Sequence, residues 1–395
     1  EAKSLDIVVQ IEVWDRFDYS RDNWSNNPYS PEYNVNYTFA ETGFAEEYPD
    51  HPYKDLQPFF HTIAGMEHYT PQLEIVKEYQ EKYVAKLLSI SLQYPNVLYC
   101  MNNETDTPPA WGKYWIKFIQ ERAAEAGKTV YTTDMFDGIF RPQSSDDLQL
   151  VMSEPETYTF MDISQINSRN LNQAQWDSLM WIMEESEKYK NRPINCTKVY
   201  GGPKNRDIFG SVKDGVEKFL RDLMGGCAAV RFHRPTSGNG LSDISQNIIK
   251  AVRKVETRIK FWEISPAMEL LGQRSADEAY LAAEPGNKYL IYFPDAGDIT
   301  LDLSDWDKNF HLQWLDIQEG KWGKTKEIQG GKIVNIVNPN KGDWFAVITA
   351  GAPKNVSENE LEEGDKLVEY VNPFIGTQNG GNQIPGPKAP FGIIH

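Results

Sequence analysis

The stretch Pro95-Asn96-Val97-Leu98-Tyr99-Cys100-Met101-Asn102-Asn103-Glu104-Thr105 decides how the rest of the chain is read. It begins as an apolar, β-prone run and ends in two amides and a carboxylate. A long amphipathic helix pattern precedes it, and Thr107-Pro108-Pro109-Ala110-Trp111 opens another helix after it. A buried strand that delivers a carboxylate at its C-terminal end, between two helices, is how a parallel α/β barrel builds an active site. A Glu at a strand end also caps the next helix in many proteins, so Asn103-Glu104 alone leaves both readings open.

Working outward, the same unit recurs. Leu5 to Trp14 reads as a buried strand. It breaks into a polar, aromatic loop from Asp15 to about Asn36, long and aromatic enough to be expected as a binding loop. Thr70-Pro71 starts a helix with Val76, Tyr79, Tyr83, Leu87 and Ile90 on its apolar stripe. The helix after Glu104 carries Trp111, Tyr114, Trp115, Phe118 and Ile119, expected as core, and stops at Gly127. Thr129–Thr133 is a strand ending at Asp134, with Asp137 just beyond. Thr159–Asn167 is a strand that ends in amides, including Gln165 and Asn167. Pro193–Gly201 contains Lys198 and Tyr200, and Ala228–Arg234 ends in Arg231, His233 and Arg234. Helices are expected near 145–152, 172–189, 211–224 and 242–261. Alternation of this kind predicts a parallel sheet with helices outside.

Doubly wound sheets commonly bind nucleotides through a glycine-rich first turn, and no GxGxxG or Walker motif is present. An α/β chain of the (β/α)8 TIM-barrel class, lacking its first two strand–helix units, is the better fit. The chain opens at Glu1 without an initiator Met, so an upstream portion is expected. After about Pro266 the period changes to two, with short strands between turns such as Pro285-Gly286-Asn287, which predicts an antiparallel β-sandwich. The expected organisation is a barrel over 1–266, a sandwich over 267–351, an acidic linker over 352–368 and a separate opening segment over 369–395.

Composition narrows the function. The 395 residues carry a formal net charge of −17, which excludes the basic excess that a nucleic-acid partner demands. No apolar run reaches membrane-spanning length. The 11 Trp, 20 Tyr and 18 Phe suit stacking on sugar rings as well as core packing. Cys100, Cys196 and Cys227 sit in apolar runs and read as buried hydrophobes. Neither CxxC nor HExxH occurs, and no metal or other cofactor is expected.

The strand ending in Asn103-Glu104, together with the strand Pro193-Ile194-Asn195-Cys196-Thr197-Lys198-Val199-Tyr200-Gly201, resembles glycoside hydrolase clan A. The resemblance implies a (β/α)8 barrel with Glu104 as general acid/base and Asn103 bonding a sugar hydroxyl. Phe160–Gln165 and the sandwich from Tyr280 to Ile348 look like apiosidase-like barrels with their collagen-binding-type β-domain. Tyr370-Val371-Asn372-Pro373-Phe374-Ile375-Gly376-Thr377, with Pro385-Gly386 and Ala389-Pro390-Phe391-Gly392, looks like the opening segment of glycoside hydrolase family 92. It implies a covalently linked family 92-like domain, a polysaccharide or glycan as partner, and an extracellular or periplasmic bacterial protein.

The position where the clan places its nucleophile holds Lys198, which cannot form a glycosyl ester. Three readings follow. Another strand-end carboxylate serves, with Asp134 the leading candidate and Asp137, Glu12 and Asp15 beside it. Alternatively, the barrel binds sugar without cleaving it. In the third reading Lys198 pairs with Glu104 and holds an anionic sugar such as a uronate, aided by Arg231, His233 and Arg234. Trp14, Asp15, Asn103, Gln165, Asn167, Lys198, Tyr200, Arg231 and His233 are the expected substrate-binding residues.

Overall fold

In the computed structural model, residues 2–5, 7–50, 57–203 and 208–351 are described, together with the backbone of 393–394. The expected linker and the family 92-like segment lie outside the described residues, apart from that backbone. The chain forms two compact units. One comprises Glu1–Gln165 and Glu185–Pro193; the other comprises Ile166–Glu184 and Ile194–Ile394.

In the first unit, β1 (Val8–Asp15) pairs in parallel with β2 (Val97–Asn103), and β2 pairs in parallel with β3 (Tyr131–Thr133). Between β1 and β2 come α1 (Phe39–Thr42) and α2 (Glu74–Ser91). A Thr38–Glu41 capping box starts α1. Pro71 opens a single 3-10 turn that leads into α2. Next come α3 (Pro109–Glu125), α4 (Asp146–Ser153) and β4 (Met161–Asp162). Gly127, at φ 66°, lets the Lys128 amide turn back onto the Ala123 carbonyl and end α3.

Two expectations change here. The strand expected over 159–167 is only two residues long. The Asp162 carboxylate accepts from the Ser164 amide and hydroxyl, which turns the chain into the 3-10 segment Ser164–Ser168. The loop expected to bind ligand after β1 is largely a core of its own. Tyr19, Trp24 and Tyr37 are buried, and Tyr19 stacks on Phe59 at 3.9 Å. Burying rings that large is how a segment built of short 3-10 turns, Arg16–Tyr19 and Arg21–Asn26, holds its shape.

The second unit holds α5 (Asn172–Glu187, whose last turn belongs to the first unit) and the parallel pair β5 (Ile194–Val199) and β6 (Ala229–Phe232). It also holds α6 (Val212–Met224) and α7 (Asp243–Glu256). Ser211 and Ser242 cap α6 and α7 as their sequence positions predict.

The antiparallel strands then follow: β7 (Ser265–Pro266), β8 (Leu271–Gly272), β9 (Tyr280–Glu284), β10 (Lys288–Phe293), β11 (Asp298–Asp302), β12 (Asn309–Asp316), β13 (Lys321–Trp322), β14 (Lys326–Gln329), β15 (Ile333–Val337) and β16 (Trp344–Thr349). They form one sheet ordered β13-β12-β16-β10-β9-β7, with β14 also on β12, and a second ordered β15-β11-β8. Tyr289, Ile291 and Phe293 enter the core with Ile299, Leu301 and Ile348. Leu290 and Tyr292 point to the opposite face and are buried too, because α6 packs on β9 and β10. That packing is why α6 shares a compact unit with the sandwich.

Candidate active site

Parallel register sets Asp15 beside Asn103. The Asn103 amide donates to the Asp15 carboxylate at 3.0 Å, and the other Asp15 oxygen accepts from the Phe17 amide at 3.0 Å. Asp15 therefore orients Asn103 and caps the turn after β1.

Glu104 follows at φ 46°, a left-handed conformation unusual for a non-glycine residue. Strain of this kind costs on the order of 1–3 kcal/mol and gathers at functional sites. The reversal is held from behind. The Thr105 amide donates to the Met135 carbonyl at 2.8 Å, and the Asp137 amide donates to the Thr105 carbonyl at 3.0 Å. The ends of β2 and β3 are thus zipped together beyond the sheet, with Glu104 and Asp137 on the two sides.

Arg16, only 2% exposed, spans this cluster. Its guanidinium lies 2.9 Å from the Asp106 carboxylate and 3.4 Å from that of Asp137. Burial pushes the Asp137 carboxyl above the ordinary aspartate range. The Arg16 charge opposes that rise, and the Glu104 and Asp106 charges add to it. Asp147 is raised in the same direction, first by burial and then by Asp106 and Asp146. Among the described residues, no group of three or more His, Cys, Asp or Glu side chains could hold a metal ion.

Asp134 lies elsewhere. It is 2% exposed, and its carboxylate accepts from the Asn102 amide, the Asn102 side chain and the Met135 amide at 3.0–3.1 Å. It locks β2 to β3 on the face that α3 covers. A Cβ at Gly112 would sit 2.0 Å from its Oδ2. Gly112→Ala is accordingly expected to lower the unfolding free energy by about 1–3 kcal/mol through overpacking, despite the better helix propensity of Ala. A thermal melt at or above the wild-type value would refute that tight fit.

Trp14 is likewise core, not a sugar platform. It is 2% exposed and packs against Phe59, Tyr83, Trp111 and Trp115 at 5.1–6.2 Å between ring centres. Gln165 lies buried in the 3-10 segment after β4.

The remaining expected residues belong to the second unit. The β5–β6 register is irregular between Cys196 and Val199, at Thr197 and Lys198. The Arg231 Nε donates to the Thr197 carbonyl at 2.8 Å across this bulge. Lys198 is 3% exposed. Tyr200 stacks on Phe209 at 4.7 Å and tilts against His233 at 4.7 Å. Lys198, Tyr200, Arg231 and His233 thus gather at the ends of one strand pair.

Asn167 does not join them. Its side chain is fully buried, donating to Cys196 Sγ and Asp222 and accepting from Gln175. Cys100, Cys196 and Cys227 are all buried and free of disulfides.

Sequence reading missed Arg16 and Lys218. The Lys218 ammonium donates to the carbonyls of Asn167, Tyr200 and Phe209 at 2.8–3.3 Å. Arg16 follows a strand-end aspartate directly, and that was its one visible signal.

No protein-family model matches this chain, and no curated protein does. Solved structures do. The chain is similar in fold to a glycoside hydrolase family 5 protein from Bacteroides vulgatus, at 13% identity over 72% of this chain and 70% of that one, with a TM-score of 0.52. A second structure described as a glycoside hydrolase matches at 12% identity over 72% of each chain, also with a TM-score of 0.52. The chain therefore has a mixed α/β fold similar to those two structures, with parallel sheets, plus a separate antiparallel β-region.

Proposed function

We propose that this chain is a glycoside hydrolase acting on O-glycosidic bonds of a polysaccharide or glycan, with Glu104 as general acid/base. The observation that carries the reading is the Glu104–Asp137 pair at the joined ends of β2 and β3, with buried Arg16 against Asp137. Asp137 takes the place of Asp134 as second carboxylate, because the Asp134 oxygens are committed to Asn102 and Met135. Glu104 donates a proton to the leaving oxygen, and ionised Asp137 either attacks the anomeric carbon or activates a water. A separation of about 5–5.5 Å between the carboxyls suits attack and about 6.5–9.5 Å suits the water. Asn103, held by Asp15, bonds a sugar hydroxyl. The parallel strands belong to a (β/α)8 barrel, and the polypeptide works outside the cytoplasm with a family 92-like neighbour.

The test is turnover across a panel of aryl glycosides and polysaccharides, with a pH profile for wild type and Arg16→Met. Arg16 holds the Asp137 pKa down, so its removal raises that pKa further. Ionised Asp137 is then reached only at higher pH, and the acidic limb of kcat/KM moves upward. An unmoved limb in a folded, active variant sinks the Asp137 role.

The buried Lys198 on β5, where the clan carries its nucleophile, favours a second reading: a barrel that binds glycan without cleaving it and serves a mannosidase-like domain downstream. Saturable glycan binding with no turnover on any substrate of the panel would select it.

A further inference from the structure

We infer that two copies of this chain associate through β15, strand to strand about a twofold axis, as a symmetric dimer. The contact lies in the sandwich of the second unit and does not depend on the hydrolase reading.

An open edge comes first. β15 ends the order β15-β11-β8 and pairs with β11. The Lys332 carbonyl accepts from the Leu303 amide at 3.2 Å, and the Asn338 amide donates to the Gly297 carbonyl at 3.1 Å. Lys332 and Asn338 are thus turned toward the β11 side. Backbone direction alternates along a strand, so the amides and carbonyls of Ile333, Asn335 and Val337 point to the free edge. Among the described residues they meet no backbone partner there. Such an edge accepts a further strand unless it is blunted. The other strands that end these two sheets are blunted. β7 ends in Pro266, β8 and β13 are two residues long, and β14 opens on Lys326 and Glu327. β15 runs five residues with neither charge nor proline.

The sequence of the strand says what fits it. Ile333-Val334-Asn335-Ile336-Val337 places branched aliphatics symmetrically about Asn335. In an antiparallel pair centred on Asn335, Ile333 falls opposite the second copy's Val337, and Val334 opposite its Ile336. Asn335 falls opposite itself. The residues that exchange bonds in this register are those whose backbone groups are free, Asn335 at the axis and Ile333 with Val337 on either side. Both faces match as well. Ile333 and Val337, 60% and 52% exposed, lie on the outer face with Asn335 and cover one another in the pair. Val334 and Ile336 lie on the core face. The strand is therefore its own complement, which is what an isologous contact requires.

Charge permits the approach. With a formal net charge of −17, two copies repel at most orientations. Residues 329–341 hold Lys332 and Lys341 and no acid. In the paired register Lys332 falls opposite the second copy's Asn338, not opposite a lysine. Asp302 and Asp298 sit beside Ile333 and Val337 on β11. Across the junction they end about 14 Å from their counterparts, beyond the ~8 Å screening length of physiological salt.

The experiment uses the full chain. A five-residue strand buries less than the ~1,200–2,000 Å² of a stable interface, so a monomer–dimer equilibrium in the micromolar range is expected. Sedimentation velocity across that range should show it, and amide exchange over 332–338 should slow as concentration rises. Asn335→Lys and Asn335→Asp each set like charges opposite one another at the axis. Each is expected to weaken the dimer about 10–100-fold. Mixing the two variants sets Lys opposite Asp and is expected to restore association. Asn335 is exposed and its amide is not used by β11, so both variants should keep the fold. A chain that stays monomeric, a dimer that both charge variants leave intact, or a mixture no stronger than its parts would each overturn the inference. Slow exchange over 332–338 that does not vary with concentration would assign the edge to another segment of the same chain, and would overturn it too. The unmutated chain decides the matter if either variant fails to fold.

Discussion

Glu104→Gln is expected to lower kcat/KM by about 10²–10⁴-fold on any glycan that the wild type cleaves, the range by which a positioned general acid/base contributes. Gln keeps the shape and the hydrogen-bonding reach of the side chain but cannot release a proton. Binding should therefore survive while turnover falls, so the loss appears in kcat rather than KM. The backbone supplies an independent check. Glu104 sits at φ 46°, where an L-residue is strained and glycine is not. Glu104→Gly is thus expected to leave folding stability unchanged or raised while abolishing turnover. A residue kept only to cap a helix would show the opposite, with stability lost and activity retained. Steady-state kinetics and urea unfolding on the two variants separate these outcomes. Full turnover by Glu104→Gln would end the acid/base assignment.

Much of this arrangement is legible in the sequence, and the exceptions have physical causes. The Asn-Glu strand end, the parallel units and the period-two strands after Pro266 are local patterns, and the structure repeats them closely. The strand Lys288–Phe293 falls where its run of aromatic and aliphatic residues after the Pro285-Gly286-Asn287 turn predicts. Trp14 and Asp15 show the limit. Successive residues of a strand face opposite sides, but when both sides are buried the sequence does not say which is the core. Trp14 faces the helices, and Asp15 faces Asn103. Asn102 and Asn103 divide in the same way, one bound to Asp134 and the other to Asp15.

Longer-range pairings were out of reach for a different reason. Arg16 meets Asp137 across 121 positions, and Asn167 is claimed by Asp222 on α6 across 55. No local periodicity encodes such a contact. The bulge at Thr197–Lys198 is also invisible to a pattern that assumes unbroken register.

Arg221→Met is expected to lower the unfolding free energy by at most about 3–5 kcal/mol, because removing one partner of a buried ion pair leaves the other short of its charge, with Lys213 at 3.4 Å the cation that Glu217 keeps. Arg221 is fully buried on α6. It lies 3.3 Å from Glu217 and 3.1 Å from Asp277, and it donates to Gln175 at 2.8 Å. Tyr280 on β9 donates to the same Asp277. One guanidinium thus pairs with Glu217 one turn away on α6 and ties that helix to Asp277, in the loop that leads into β9.

The pH dependence gives the sign. Burial raises the Glu217 carboxyl, and Arg221 is the leading charge that holds it down. In the variant the folded-state value rises further above the unfolded one. The folded variant then binds more protons than the unfolded chain between those two values, and its stability increases as pH falls through that window. The deficit relative to wild type should be largest at neutral pH and should shrink on acidification. Urea unfolding of the transition that includes the sandwich, at pH 7 and pH 5, tests this. A deficit of equal size at both values would mean that lost packing of the long arginine stem, not stranded charge, is the cause. Replacing Glu217 by Leu in the Arg221→Met background then separates the two causes. An apolar pair should recover much of the loss if the penalty is electrostatic, and should recover little if the guanidinium mainly fills space beneath Tyr280.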